Sequence, residues 1–164
     1  MNALKMTTAA ALVALIGFAQ TTVAAPLKPK LNRSAKKISV RTDLRCSIEG
    51  FYDAAATQPL AHGSHVVNLD EMYVRVTVHN AGKLAAKGFT SNATVTKDGT
   101  NVYDNGHTFD LPAGFSMSFP LVKVDTHHNS TVNARLDVDT GNGIKELSER
   151  NNSCRFEVKS SKLH

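Results

Sequence analysis

Five oxygen-bearing side chains lie close together in one stretch of the chain, and they are the first candidates for ligand chemistry. They are Asp137, Asp139, Asn142, Glu146 and Glu149. Clustered carboxylate and amide oxygens are what a hard cation such as calcium needs. The EF-hand spacing is not met, because Gly141 and Ser148 stand where that loop requires oxygen ligands. We predict a turn held by hydrogen bonds from side chains to backbone amides, with weak calcium binding as the alternative.

Two histidines, His62 and His65, form a second candidate site. Imidazoles bind copper or zinc when the fold brings several of them together. The pattern favours scattered surface histidines, because His62-x-x-His65 alone is weak evidence for a metal site. The chain contains neither a nucleophile elbow nor a metalloprotease helix motif. We therefore predict a protein that is not an enzyme and that holds no cofactor, apart from the calcium alternative.

The first 25 residues have the layout of a secretory signal peptide. Lys5 precedes an apolar run over residues 9–19, and small residues follow up to Ala25. The apolar run is too short to span a bilayer stably. The sequence therefore predicts an exported protein, periplasmic or secreted and not transmembrane. A retained membrane anchor is the alternative.

The chain has two cysteines, Cys46 and Cys154. An even pair in an exported protein indicates a disulfide bond. Two buried free thiols or a metal-binding pair are the competing interpretations. Each cysteine falls in the buried phase of a predicted strand, one near the start of the folded domain and one near its end. This supports a bridge in or beside the core.

Six segments alternate apolar and polar residues with a period of two, which is typical of strands with one buried face. The clearest is residues 72–78, with Met72, Val74, Val76 and Val78 on one face. The first segment places Val40 on the buried face and Asp43 on the exposed face. The segments are residues 40–49, 72–79, 89–96, 115–121, 132–139 and 154–159.

The predicted turns separate these segments. Asp98-Gly99 favours a tight type I′ hairpin, since both central residues need positive φ. Asn105-Gly106 predicts a second turn, and Pro120 predicts an edge or bulged position. Residues 146–149 are predicted to form one helical turn, and no longer segment has a helical period. The sequence thus predicts an all-β fold, an antiparallel β-sandwich of about seven strands.

Charge is unevenly distributed along the chain. Lys and Arg number 19 and Asp and Glu number 14. Residues 26–45 hold seven of the basic residues against one acid. We predict a signal peptide at residues 1–25, a disordered basic arm at 26–38, a β-sandwich domain at 39–159 and a tail at 160–164. The arm is either a solvated linker or a contact to an anionic surface. Nucleic acid is not an expected partner.

Several elements of the chain resemble a known family. The valine-rich strand followed by Asn80-Ala81-Gly82 and the Leu111-Pro-Ala-Gly114 step resemble weak family elements. The stretch from Val138 to Asn152, with its Asp, Asn and Glu residues, resembles the closing motif. Together they are similar to the bacterial cell-adhesion-related domain (CARDB) family over residues 42–158. The cysteine pair is not part of the family pattern.

The resemblance implies an immunoglobulin-like sandwich and a binding or adhesion role in the bacterial cell envelope or medium. The expected partner is a protein or glycan of the envelope, bound by a sheet edge or by loops at residues 53–70 and 104–110. The alternative function is a periplasmic metal-binding protein that uses the acidic turn or the histidines.

Overall fold

The computed structural model describes residues 40–127 and 129–163. The predicted signal peptide and basic arm lie outside these residues. The described part contains no helix, so the predicted helical turn at residues 146–149 is wrong. Accordingly, this part of the chain contains no helix long and apolar enough to cross a membrane.

The chain forms an all-β sandwich, as predicted, but with ten strands in place of about seven. Two of the additional strands have only two and four residues, too few to show an alternating pattern, and the predicted segment over residues 115–121 is divided in two. The strands are β1 (Leu44–Phe51), β2 (Pro59–Leu60), β3 (Ser64–Val67), β4 (Glu71–Asn80), β5 (Ala86–Lys97), β6 (Thr100–Leu111), β7 (Ser116–Ser118), β8 (Val122–Asp125), β9 (Ser130–Asp137) and β10 (Ser153–Ser161).

The strands form two five-stranded sheets. Sheet 1 has the order β2-β1-β4-β7, with β8 also paired to β4, and sheet 2 has the order β3-β10-β9-β5-β6. The pairing is antiparallel except that β3 runs parallel to β10. The predicted antiparallel sandwich is confirmed, and this one parallel pair joins two strands that are distant in sequence.

The hydrophobic core lies between the two sheets and is made by alternate residues of the long strands. Met72, Val74, Val76 and Val78 of β4 are fully buried, as their period of two predicts. The corresponding faces of β5, β9 and β10 pack against them. Val40 is an exception to the predicted pattern, since 52% of its surface is exposed. It precedes β1, so no sheet fixes its side chain toward the core.

The turn at Asp98-Gly99 is confirmed. Asp98 has φ 50° and Gly99 has φ 81°, as a type I′ hairpin between β5 and β6 requires. The predicted turn at Asn105-Gly106 is wrong, because both residues lie within β6 and pair with Ala93 and Asn92. Pairing along β5 therefore outweighs the local turn preference of Asn105 and Gly106.

The segment predicted as one strand over residues 115–121 is divided in two. β7 ends before Pro120 and β8 begins after it, and both strands pair with β4. Pro120 has no N–H to donate, so the ladder is interrupted there. The buried phase also shifts across the break: Val122 and Val124 are buried, whereas Phe115 is 61% exposed.

The predicted disulfide is confirmed. Cys46 on β1 and Cys154 on β10 are bonded, with their Cα atoms 5.8 Å apart and a sequence separation of 108. Neither cysteine is free, which excludes the thiol and metal-pair interpretations. Because β1 belongs to sheet 1 and β10 to sheet 2, the bond joins the two layers of the sandwich.

Candidate functional site

The chain between β9 and β10, residues 138–152, forms a turn that we call the closing turn. It begins at Asp139, which is buried and adopts a left-handed backbone with φ 48°. Its Oδ1 accepts a hydrogen bond from the Gly143 N–H at 3.0 Å, and its Oδ2 accepts one from the Ile144 N–H at 2.8 Å. One carboxylate therefore folds the following five residues around itself.

Glu146 connects the closing turn to the first strand. It is 4% exposed and accepts hydrogen bonds from the Leu44 N–H and from Asn152 Nδ2, the latter at 2.9 Å. The backbone of Thr42 forms a parallel bridge with Glu146, and its carbonyl accepts from the Leu147 N–H at 3.0 Å. The closing turn is therefore attached to the segment that leads into β1, which belongs to the other sheet.

Glu149 completes this network from the solvent side. Its Oε1 accepts from the Glu146 N–H at 3.1 Å, and its Oε2 accepts from Asn152 Nδ2 at 3.1 Å. Oxygen atoms of Asp139, Glu146 and Glu149 lie within 4.8 Å of one another. Burial, together with repulsion from the two neighbouring carboxylates, raises the pKa of Glu146 above its ordinary value.

The three carboxylates hold the turn in its conformation, and together they can also bind a proton or a small cation. Each of the six carboxylate oxygens already accepts one N–H bond. A carboxylate oxygen has a second lone pair, so this does not exhaust its acceptor capacity. The hydrogen bonds match the prediction of a turn held by side-chain-to-backbone contacts. Calcium binding stays a prediction.

Asp137 is not a member of this group of three carboxylates, although Asp137 and Asn142 line one surface pocket with Asp139 and Glu149. Asp137 is on β9 and forms an ion pair with Arg135, with Nε and Oδ2 2.6 Å apart. Asn142 contributes its backbone, since its N–H donates to the Asp139 carbonyl at 2.8 Å. The cluster thus consists of three carboxylates.

The predicted histidine site is not assembled in the described part of the chain. His62 Nδ1 accepts a hydrogen bond from the Glu157 N–H at 3.0 Å. His65 Nε2 is 3.0 Å from Ser161 Oγ. Neither histidine belongs to a group of three or more metal-binding side chains among residues 40–127 and 129–163.

Asp43 was predicted on the exposed face of the first strand, and this is wrong. It is 5% exposed, since it lies just before β1 where the closing turn covers it. Burial opposes its ionisation, but hydrogen bonds from Asn151 and Arg45 outweigh burial and lower its pKa. Arg45 is two residues away, but Asn151 is 108 residues further along the sequence, so the alternating pattern could not reveal the burial of Asp43.

Asn80, the first residue of the Asn80-Ala81-Gly82 element, is a second structural residue. It is fully buried at the end of β4. Its Oδ1 accepts from the Gly82 N–H at 3.0 Å, and its Nδ2 donates to the carbonyls of Leu84 and Leu111 at 2.8 and 3.0 Å. A Cβ at Gly82 would meet the Asp43 backbone nitrogen at 2.5 Å. The Asn-x-Gly element was recognised as a turn, and these contacts explain its residue types.

A long sheet edge forms the most extended candidate binding surface. β6 has 12 residues and pairs only with β5 in the described residues. Between β6 and β7 lies an apolar groove of about 400 Å³. Its walls are formed by the side chains of His107, Phe109, Met117, Phe119 and Pro120. The predicted binding segment at residues 104–110 lies within this edge strand.

Comparison with known proteins places the chain in a family. The CARDB family profile matches residues 59–156. A solution NMR structure of a CARDB domain from Pyrococcus furiosus is 19% identical, with a TM-score of 0.51, and the match covers 74% of this chain and 96% of that domain. A crystal structure of that domain in complex with di-metal ions is 20% identical, with a TM-score of 0.52, and covers 73% and 89%.

No curated protein sequence matches the chain. At these identities the two solved structures support the fold alone, a CARDB-type β-sandwich. Cys46 precedes the matched residues and Cys154 lies within them, so the disulfide ties the matched segment to a strand outside it. Because the family profile matches more than half of the residues of this chain, the chain belongs to the CARDB family.

Proposed function

We propose that the protein is an exported, non-catalytic binding module of the bacterial cell envelope or medium, and that it binds an extended polypeptide segment along β6. The long unpaired edge of β6 is the observation that carries this proposal. An exposed edge presents free backbone N–H and C=O groups, to which a partner strand can add. The disulfide and the signal-like N-terminal sequence support export.

The other sheet edges are poorly suited to this role. β2 has two residues and β3 has four. The edge formed by β7 and β8 has three and four residues, separated by the break at Pro120. Short strands and proline are common ways to prevent edge pairing. β1 also lacks a second partner strand over residues 44–49, but this stretch is half as long as β6 and its Leu44 N–H already donates to Glu146. Within the described residues, β6 therefore presents the longest unpaired edge.

The groove beside β6 supplies a specificity pocket. Phe109 and Phe119 have ring centroids 6.3 Å apart, and His107 lies 5.5 Å from Phe119. In a strand added to β6, every second side chain would point toward this groove. Asp104 and Asp110 are exposed on β6. The partner we expect therefore alternates apolar residues with polar or basic ones.

Peptide display against the full chain tests this proposal. We expect selected peptides to alternate apolar and polar or basic residues. Hydrogen exchange of the complex should show new protection at residues 100–111, because a paired edge amide no longer exchanges with water. Protection confined to another segment would contradict the proposal, as would the absence of any selected peptide.

A pair of β7 variants provides the matched control for that test. Met117→Lys places a charge in the groove, and we expect roughly tenfold weaker peptide binding because the ammonium must be desolvated. Ser116→Lys adds the same charge on the neighbouring exposed residue and should leave the affinity unchanged. Equal losses in the two variants would show that charge alone is responsible and would reject the groove.

Binding of a hard cation by the closing turn is the second candidate function. The observation that favours it is the approach of Asp139, Glu146 and Glu149 oxygens to within 4.8 Å. Calcium binds such oxygens, and the crystallised Pyrococcus furiosus domain is described with di-metal ions. Copper or zinc binding through His62 and His65 is the weaker form of the same alternative.

Elemental analysis of untagged protein, followed by thermal melts with calcium, copper and zinc, tests the cation proposal. If calcium binds, we expect its addition to raise the melting temperature, because a ligand of the native state stabilises that state. Glu149→Gln removes one partly exposed carboxylate and should abolish the rise. Glu157→Gln, on the outer face of β10, is the control and should keep it. An unchanged melt with all three metals would reject the candidate.

A further inference from the structure

The outer face of sheet 2 carries a trough that is separate from both the β6 edge and the closing turn. It has a volume of about 450 Å³ and lies over the central strands β5, β9 and β10. β5 and β9 are paired on both sides. β10 pairs with β3 only over residues 158–161, but at Glu157 its N–H and C=O already bond His62 and Gly63. Any ligand in the trough must be recognised by side chains alone.

Two rows of side chains cross this trough. Cross-strand pairing aligns Thr94 with Arg135 and Arg135 with Arg155. The adjacent row aligns Thr96 with Asn133 and Asn133 with Glu157. Residues two apart on a strand share a face, so both rows present their side chains on the same surface.

The two arginines of the first row are direct cross-strand partners, which is an unfavourable arrangement for like charges. Asp137 neutralises Arg135, with one arginine nitrogen at 2.6 Å and another at 3.0 Å from its two oxygens. Arg155 is exposed and has no hydrogen bond or ion pair from its side chain within the described residues. Its charge acts on Asp137 only at longer range. One arginine is thus left without a close counter-ion.

The other polar groups of the trough are also available. The side chains of Thr94, Thr96 and Asn133 make no hydrogen bond within the part of the chain that the structure describes. Glu157 lines the trough, but it is paired with Lys159 at 3.6 Å. With the two carboxylates paired to cations, the trough carries one net positive charge from Arg155.

His62 closes the trough at the edge of β10. Its Nδ1 accepts from the Glu157 N–H, so the neutral ring carries its proton on Nε2, where it can serve as a further donor. One unpaired guanidinium beside hydroxyl, amide and imidazole groups suits a ligand with one carboxylate on a body rich in hydroxyl groups. A cavity of this size is in the range of small-molecule sites.

We propose that this trough binds an acidic glycan, with Arg155 contacting a uronate carboxylate and with Thr94, Thr96 and Asn133 contacting sugar hydroxyls. A planar guanidinium forms bidentate hydrogen bonds with a carboxylate, which gives orientation as well as affinity. The trough and the β6 edge are different surfaces. Failure of the glycan proposal therefore leaves the edge proposal standing.

Calorimetric titration of the full chain with trigalacturonate tests the proposal. We expect saturable binding of trigalacturonate and none of maltotriose, a neutral trisaccharide. Triglutamate tests for binding of an acidic peptide, and inorganic phosphate tests for binding of a free anion. Both should bind much more weakly than trigalacturonate. If either of them binds as well as trigalacturonate, the ligand class is wrong, and absence of trigalacturonate binding rejects the site.

Two arginine variants locate the contact. Arg155→Gln should weaken binding by about tenfold or more, as expected for loss of a hydrogen bond to a charged group. Arg75→Gln makes the same charge change on β4 of the opposite sheet and should have no effect. Equal losses would indicate attraction by net charge and would overturn the assignment.

The thermal stability of Arg155→Gln, measured without ligand, provides a further test. Because Arg155 faces Arg135, the melting temperature of Arg155→Gln should equal or exceed that of the parent protein. A lower melting temperature would mean that Arg155 stabilises the sheet, which would contradict a role reserved for ligand binding.

Discussion

Replacing both Cys46 and Cys154 by alanine is expected to lower the free energy of unfolding by about 4 kcal/mol. The bond closes a loop of about 108 residues. Closing a loop this long strongly reduces the conformational freedom of the unfolded chain. It also joins β1 to β10, so its loss removes the one disulfide cross-link between the two sheets in the described residues. Chemical denaturation of the oxidised parent and of the double variant measures the difference.

Two controls separate the cross-link from side-chain packing. Parent protein unfolded in the presence of a reductant should resemble the double variant, because both lack the bond. Ser47→Ala, at the next residue of β1, changes an exposed side chain and should alter the free energy by less than about 0.5 kcal/mol. A double variant as stable as the parent would show that the bond contributes nothing to stability.

Glu146→Ala is expected to lower the free energy of unfolding by about 3 kcal/mol. The substitution leaves the Leu44 N–H without its acceptor and removes one acceptor of Asn152 Nδ2, both beside the buried attachment of the closing turn. An unpaired buried donor costs about 1–3 kcal/mol. Glu157→Ala, on the outer face of β10, is the matched control and should cost far less. Equal losses would contradict the role we assign to Glu146.

The pH dependence of this residue provides a separate test. Because the pKa of Glu146 is raised in the folded protein, its contribution to stability is fully present below the unfolded pKa and falls as the pH rises. The difference in stability between the parent and Glu146→Gln should therefore shrink as the pH increases from about 4.3 upward. Denaturation curves at several pH values measure this difference in stability. A difference that grows with pH would contradict the raised pKa of Glu146.

The sequence could predict what depends on neighbouring residues. The alternation in β4, β5, β9 and β10 predicted their buried faces, because side chains on a strand alternate between two surfaces. Asp98-Gly99 predicted its hairpin, since two residues suffice to define that turn. The disulfide pairing followed from having two cysteines only.

The errors arose where distant segments compete with local preference. Asn105-Gly106 has a strong local turn signal, but pairing along β5 holds both residues in a strand. Asp43 appeared to face solvent, but the closing turn covers it, and Asn151 of that turn donates a hydrogen bond to it. β3 could not be recognised, since its partner β10 lies about ninety residues away in the sequence.

The same division applies to the candidate sites. By itself, the sequence determined that this chain makes a two-layered β fold and that acidic residues crowd the turn before its last strand. Tertiary structure alone decided which carboxylates meet, that β6 ends a sheet and that Arg155 faces Arg135. The physical reason is that strand order and register depend on pairings between remote segments, whereas alternation and turn preference are properties of a few consecutive residues.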